Sequence, residues 1–247
     1  MGEAKRMSFL AFDPPRHVVA LSGGKDSTAL ALALHEKEPR DYDYVITPTG
    51  NELPAMQLHW AKLERLLGKS LIRPRSPHTL SSLIQFHHAL PNQRMRWCTR
   101  QLKIEPVLAW CRQNSPVVMY VGLRADEERA GIYGDAVESD FPFQRWGWIL
   151  EDVWRCLRRH QIVIPERTDC ALCYDQQLIE WWRLWKYNRA HWNEGKDHEA
   201  RTGRTFRSPS RDTWPAALSE LEKEFERGRI PQIRKKGQGS TCRVCSL

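Results

Sequence analysis

The chain has 247 residues, 41% hydrophobic and 28% charged, a balance that excludes a disordered or fibrous chain and suits one α/β domain with a small appendage. No apolar run approaches the roughly 20 residues that span a bilayer, and Met1-Gly2-Glu3-Ala4-Lys5-Arg6 lacks a secretory hydrophobic stretch, so a cytoplasmic location without membrane contact is expected. Lys and Arg outnumber Asp and Glu by 38 to 30, a formal net charge of +8, which favours anionic partners, nucleotide or nucleic acid.

Residues 17–21 form an apolar, β-branched run that ends at a glycine pair, the pattern of a buried strand. An Ala/Leu-rich helix follows from Ser27. A second strand is expected over 44–46, leading into Thr49-Gly50-Asn51-Glu52, and then a helix carrying Leu53, Met56, Trp60, Leu63 and Leu67. Leu71 and Ile72 suggest a third strand, residues 80–90 and 104–111 two helices, and residues 117–121 a further buried strand. Such alternation predicts a doubly wound, mainly parallel α/β sheet with its crevice at the carboxyl ends of the strands. Beyond Trp146 come expected helices over 151–160, 176–192 and 216–227, and a polar, basic stretch over 193–215 read as a mobile loop. The chain is thus divided into a nucleotide-binding α/β domain over 1–145 and a helical, Cys-containing region over 146–247.

The segment Ser22-Gly23-Gly24-Lys25-Asp26-Ser27 lies between the first strand and the first helix. Adjacent glycines let the backbone approach an anion, the helix N-terminus supplies oriented N–H dipoles, the two serines offer hydroxyls and Lys25 offers charge. The alternative is a glycine-rich turn with no ligand. The spacing is not the G-x-x-x-x-G-K-[ST] of kinase-type phosphate loops.

This segment resembles the S-G-G-x-D-S signature of the PP-loop ATP pyrophosphatases, whose fold is the adenine nucleotide alpha hydrolase-like, HUP-type sheet. More of the chain, from about residue 17 to 175, is similar to one branch, the phosphoadenosine phosphosulfate reductase family, which includes adenylylsulfate reductase and DNA phosphorothioation relatives. Thr49-Gly50-Asn51-Glu52 looks like its T-G-N-E segment, residues 98–106 like its C-x-x-x-x-K-x-x-P segment, and residues 122–129 like its G-x-R-x-x-E-x-x-R segment. The resemblance implies an adenine nucleotide held by Ser22, Gly23, Gly24, Lys25, Asp26, Ser27, Thr49, Gly50, Lys103, Arg124 and Arg129, with Lys25, Asp26, Lys103 and Arg124 taking part in catalysis. Lys103, Arg124 and Arg129 suit phosphate or sulfate chemically; the alternative for the two arginines is a surface ion-pair cluster with Asp126, Glu127 and Glu128.

Seven cysteines at uneven spacing do not form a secreted disulfide framework. Cys170-x-x-Cys173 and Cys242-x-x-Cys245 lie about 70 residues apart, and thiolates so spaced suit zinc or an iron–sulfur cluster. The resemblance implies a 4Fe-4S cluster on Cys98, Cys170 and Cys173, with Cys245 the preferred fourth ligand; a structural Zn on the two C-x-x-C pairs is the alternative. Trp97 stands where the cluster-bearing relatives have a second cysteine, and the C-terminal segment lacks the Glu, Gly and His of the reductases' E-C-G-x-H motif. Cys111 and Cys156 are expected as buried apolar residues. Trp181, Trp182, Trp185 and Trp192 suit either base stacking or packing of one helix, packing being favoured.

The resulting expectation is an enzyme that binds ATP with Mg²⁺ and adenylates a substrate for iron–sulfur-assisted sulfur transfer, with a nucleic-acid acceptor and a protein sulfur donor or reductant as partners. The alternatives are reduction of adenylylsulfate or its 3′-phosphorylated form with release of sulfite, and a non-catalytic nucleotide- or nucleic-acid-binding subunit.

Overall fold

Alternate residues of the first strand face opposite sides of the sheet. In β1 (Arg16–Ala20), Val19 and the following Leu21 enter one core, while Val18 and Ala20 enter another, as the period of two in an extended chain requires. The computed structural model describes residues 14–128 and 137–232. Its sheet runs in the order β2-β1-β3-β4, with β2 spanning Tyr42–Val45, β3 Val117–Tyr120 and β4 Glu138–Asp140, and every pairing is parallel. The expected strand at Leu71 and Ile72 is reduced to one parallel bridge between Val45 and Ile72. Pro74, two residues on, has no N–H with which to extend a ladder.

Helices cover both faces. On one face α1 (Lys25–Lys37), α2 (Pro54–Leu67) and α7 (Leu150–Arg159) pack with Tyr42, Tyr44 and Tyr120. On the other, Val107 and Cys111 of α5 (Glu105–Gln113) pack on Val18, Val45 and Met119. Helix α5 continues α4 (Trp97–Thr99) through a π-helical turn, Arg100–Ile104. The short α6 (Pro142–Arg145) leads into α7, which lies against α1 within the core of the sheet.

A third core is built from α3 (Leu80–His87), α8 (Leu178–Tyr187), α9 (Arg189–Thr202) and α10 (Leu218–Glu226), with Leu172, Trp181, Trp192, Phe206 and Leu221 at its centre. Two expectations are corrected here. The single helix over 176–192 is broken at Asn188, whose φ of −137° and ψ of 59° are not helical, into α8 and α9. Residues 193–202 of the stretch read as a loop are helical, and the segment that follows is anchored: the Glu199 carboxylate accepts the N–H groups of Phe206 and Leu218, and buried Arg207 forks onto Asp212. The apolar pattern that would have announced α9 is missing because its inward face is Trp192, Gly195, His198 and Glu199. Gly195 is needed there, since a Cβ would stand 2.9 Å from both Leu172 and Leu218. Trp181 and Trp192 are fully buried, the packing role. Among the described residues, no helix is long and apolar enough to cross a membrane.

Candidate nucleotide and thiol site

The loop after β1 turns sharply into α1. Gly23 sits at φ +83°, and a Cβ there would collide with Met56 Cε. Gly24 is the extended N-cap residue, and no side chain caps the helix end, so the first N–H groups of α1 face the position an anion would take. The two serines brace the turn: their Oγ atoms are 2.9 Å apart, Gly23 N donates to Ser27 Oγ and Gly24 N donates to Ser22 Oγ, each over 3.2 Å. From α2, Trp60 Nε1 donates to the Ser22 carbonyl at 3.3 Å. On the far side, a Cβ on Gly122 would stand 3.1 Å from the Asp26 carbonyl, so the end of β3 lies directly against the first turn of α1.

Charge at this end of the sheet is arranged around Asp26, which binds Lys25 through one carboxylate oxygen and Arg124 through the other, both at 2.8 Å. Arg124 also binds Asp126 at 2.9 Å and Glu127 at 3.2 Å, and is only 1% exposed. Burial opposes its charge, yet these carboxylates hold the guanidinium pKa above its ordinary value. The ion pairs read from the sequence as a surface cluster are therefore formed, but Arg124 is interior. Arg129 lies outside the described residues.

The Thr49-to-Glu52 turn sits between this loop and the cysteines. Glu52 closes it by accepting Thr49 N, Thr49 Oγ1 and Gly50 N, so the polar groups of Thr49 and Gly50 already face Glu52. Asn51 reaches the other way: its carbonyl accepts Ala171 N at 2.7 Å, and its side-chain oxygen accepts Leu172 N at 2.9 Å. The Cys170-x-x-Cys173 turn is thereby fixed beside the phosphate loop, and a Cβ on Gly24 would lie 3.7 Å from Thr168 Oγ1.

Cys98, Cys170 and Cys173 line one cavity with Thr49, Lys103 and Tyr174. A hydrogen bond with the Cys170 thiol holds the Cys173 pKa below its ordinary value, with help from Arg167 against the opposing effect of burial. At Cys98, burial and the neighbouring Cys173 sulfur push the thiol up while Lys103 pulls it down. Arg167 is part-buried, paired with Glu180 at 3.0 Å, and donates to the Cys170 carbonyl. Among the described residues, no three His, Cys, Asp or Glu side chains form a group able to hold a metal ion; Cys242 and Cys245 lie outside those residues.

Sequence reasoning did not find Glu194, Thr168, Arg167 or Tyr174. Glu194 accepts from Asn51 Nδ2 at 3.1 Å and from the Ser81 hydroxyl, and nothing in its sequence neighbourhood announces this. Tyr174 adjoins the C-x-x-C pair, the one signal that could have drawn attention to it.

A glycine loop and helix N-terminus at the carboxyl end of a parallel sheet, beside a basic and thiol-lined crevice, define a PP-loop nucleotide-binding protein of the HUP superfamily. Residues 16–167 match the phosphoadenosine phosphosulfate reductase domain, and the chain belongs to that enzymatic family. It is 30% identical over 112 residues to an uncharacterized protein of Methanocaldococcus jannaschii, an alignment covering 44% of this chain and 23% of that relative. The chain therefore spans about a quarter of the length of the curated relative it matches. Among solved structures it is similar to phosphoadenylyl-sulfate reductase from Candida auris, at 13% identity and a TM-score of 0.49 over 62% of this chain and 77% of that one. It is also similar to NH3-dependent NAD synthetase from Campylobacter jejuni, at 12% identity and a TM-score of 0.42 over 91% and 92%.

Proposed function

We propose that the protein is a sulfonucleotide reductase acting on adenylylsulfate or its 3′-phosphorylated form. The observation that carries this reading is the seating of a dithiol turn against an anion-binding loop: Thr168 meets Gly24, and Cys170 and Cys173 line the adjoining cavity with Lys103. The loop holds the nucleotide phosphate through the N–H groups of α1 and Lys25, and the sulfo group extends towards the thiols. The Cys173 thiolate attacks the sulfate sulfur; an S–S bond forms, the S–O bond to phosphate breaks, and AMP or adenosine 3′,5′-bisphosphate leaves with the electron pair. The Cys170 thiolate then attacks Cys173 Sγ, giving a disulfide and releasing sulfite. An external dithiol supplies the two electrons that restore both thiols.

Incubation with either sulfonucleotide and a dithiol reductant is expected to give sulfite and the nucleotide product in equal amounts, with none from Cys173→Ser. Failure of both substrates to yield sulfite would remove the reading.

A second reading is favoured by Lys25, whose charge at the uncapped N-terminus of α1 suits a triphosphate. Here the protein adenylates an acceptor, nucleic acid included, with ATP and Mg²⁺, and sulfur is then transferred. Cys98, Cys170 and Cys173, with Cys245, would hold a 4Fe-4S cluster supplying sulfur chemistry, or the paired cysteines a structural Zn. The described thiols do not form a metal-holding group. Pyrophosphate release from ATP, with iron, sulfide and zinc analysis of anaerobic protein, tests this reading.

A further inference from the structure

The cavity beside the phosphate loop contains a hydroxyl that no described residue uses. Tyr174 is 5% exposed, directly follows Cys173 and lines the cavity with Cys98, Cys170, Cys173 and Lys103. Its Oη is buried and has no hydrogen-bond partner among the described residues. A buried hydroxyl without a partner is costly, because it has given up water and received nothing in exchange. Neighbouring polar side chains here are engaged: Thr49 Oγ1 donates to Glu52, and the Cys170 and Cys173 thiols are hydrogen-bonded to each other. An unused donor beside a lysine and a dithiol is the arrangement a bound oxyanion completes, since a phenol O–H and an ammonium group both donate to an anionic oxygen.

We propose that Tyr174 donates its hydroxyl hydrogen to an oxygen of the substrate's sulfo group, and so distinguishes a sulfonucleotide from the nucleotide that leaves after reaction. The assignment rests on the reductase reading above and adds to it the group that recognises the transferred fragment. Tyr174 is then a substrate-contacting residue: it steadies the sulfo group while the thiolate approaches and stays bonded to the oxygens as the S–O bond to phosphate breaks.

The test is a binding comparison that needs no turnover. In a Cys173→Ser background, which prevents reaction, adenylylsulfate and AMP are titrated calorimetrically into protein with Tyr174 intact and with Tyr174→Phe. With Tyr174 intact, adenylylsulfate is expected to bind more tightly than AMP. In Tyr174→Phe that preference falls about tenfold, the loss expected for one hydrogen bond to a charged group, while AMP affinity is unchanged. The melting temperature is also unchanged, because the ring is kept and the hydroxyl bonds to no described residue. A preference retained in Tyr174→Phe would overturn the assignment and leave the reductase reading standing. Equal weakening of AMP and adenylylsulfate would also overturn it, by showing a general structural role. If the protein with Tyr174 intact prefers neither adenylylsulfate to AMP nor the 3′-phosphorylated form to adenosine 3′,5′-bisphosphate, this inference falls, and the reductase reading is decided by the sulfite assay.

Discussion

The backbone N–H of Leu172 donates to the side-chain oxygen of Asn51 over 2.9 Å. Asn51 Nδ2 donates to Glu194 at 3.1 Å, which fixes the orientation of the amide. Residues far apart in sequence therefore clamp the dithiol turn from a helix of the third core. Asn51→Ala would leave the buried Leu172 donor without its acceptor, at a cost of about 1–3 kcal/mol, and would loosen the turn. A lower melting temperature and faster iodoacetamide labelling of Cys173 are expected, with a smaller effect in Glu194→Gln, whose amide can still accept from Asn51. Unchanged labelling in Asn51→Ala would show that the turn is held by other contacts.

The two loop glycines should separate folding from binding. Gly23→Ala places a side chain at φ +83° and against Met56, so a stability loss of roughly 1–2 kcal/mol or more is expected. At Gly24 a Cβ would meet Ser22 Oγ at 3.4 Å, which is tolerable, and the loss should fall on nucleotide affinity, because the added carbon occupies the anion's approach. Urea denaturation and nucleotide titration of both variants check this contrast.

Removing Arg124 should be severe for a reason other than lost ligand contact. Arg124→Ala leaves the carboxylates of Asp26 and Glu127, 13% and 6% exposed, without their buried countercharge, for which about 3–5 kcal/mol is expected. Arg124→Lys keeps the charge but cannot reach three carboxylates in the geometry of a guanidinium, so it should melt between the two and bind nucleotide weakly because Asp26 is released. Wild-type melting in Arg124→Ala would remove this account.

Stability should also depend on pH through Glu199. Burial raises its pKa to about 7, against the pull of the Leu218 and Phe206 N–H groups. The native state thus holds a proton that the unfolded chain, titrating near 4.5, has released. Its contribution is fully present below about pH 4.5 and is lost as pH rises towards and through 7, by on the order of 3 kcal/mol. Glu199→Gln should flatten this part of the curve in denaturation series between pH 5 and 8.

How far the site was legible depended on whether a residue's role is local. Residues 22–27 carry their loop in adjacent positions, and glycine pair, hydroxyls and lysine all mean the same thing there. The parallel sheet followed from strand and helix alternation for the same reason. Glu194 and Glu199 were not legible, because each works inward from a helix whose buried face is polar, and apolar periodicity cannot report such a face. Arg124 was visible as a charge beside charges, but its burial comes from the packing of β3 against α1, which no local pattern encodes. The nucleotide-binding residues inferred from resemblance remain a proposal, and Thr49 and Gly50 are better described by their bonds to Glu52.

The π-helical turn at Arg100–Ile104 lies between Cys98 and the body of α5 and contains Lys103. A π turn accommodates one residue more than an α turn, and each residue of an α-helix advances the face by about 100°. Removing one residue from this turn would therefore let it relax to α geometry with Cys98 kept close to its present side of the axis, whereas the same deletion within the regular part of α5 would rotate everything before it by about 100°. The turn is thus a one-residue reserve in the length of the chain: a family member lacking one residue here could still bring the three thiols to one cavity, while one lacking a residue inside α5 could not.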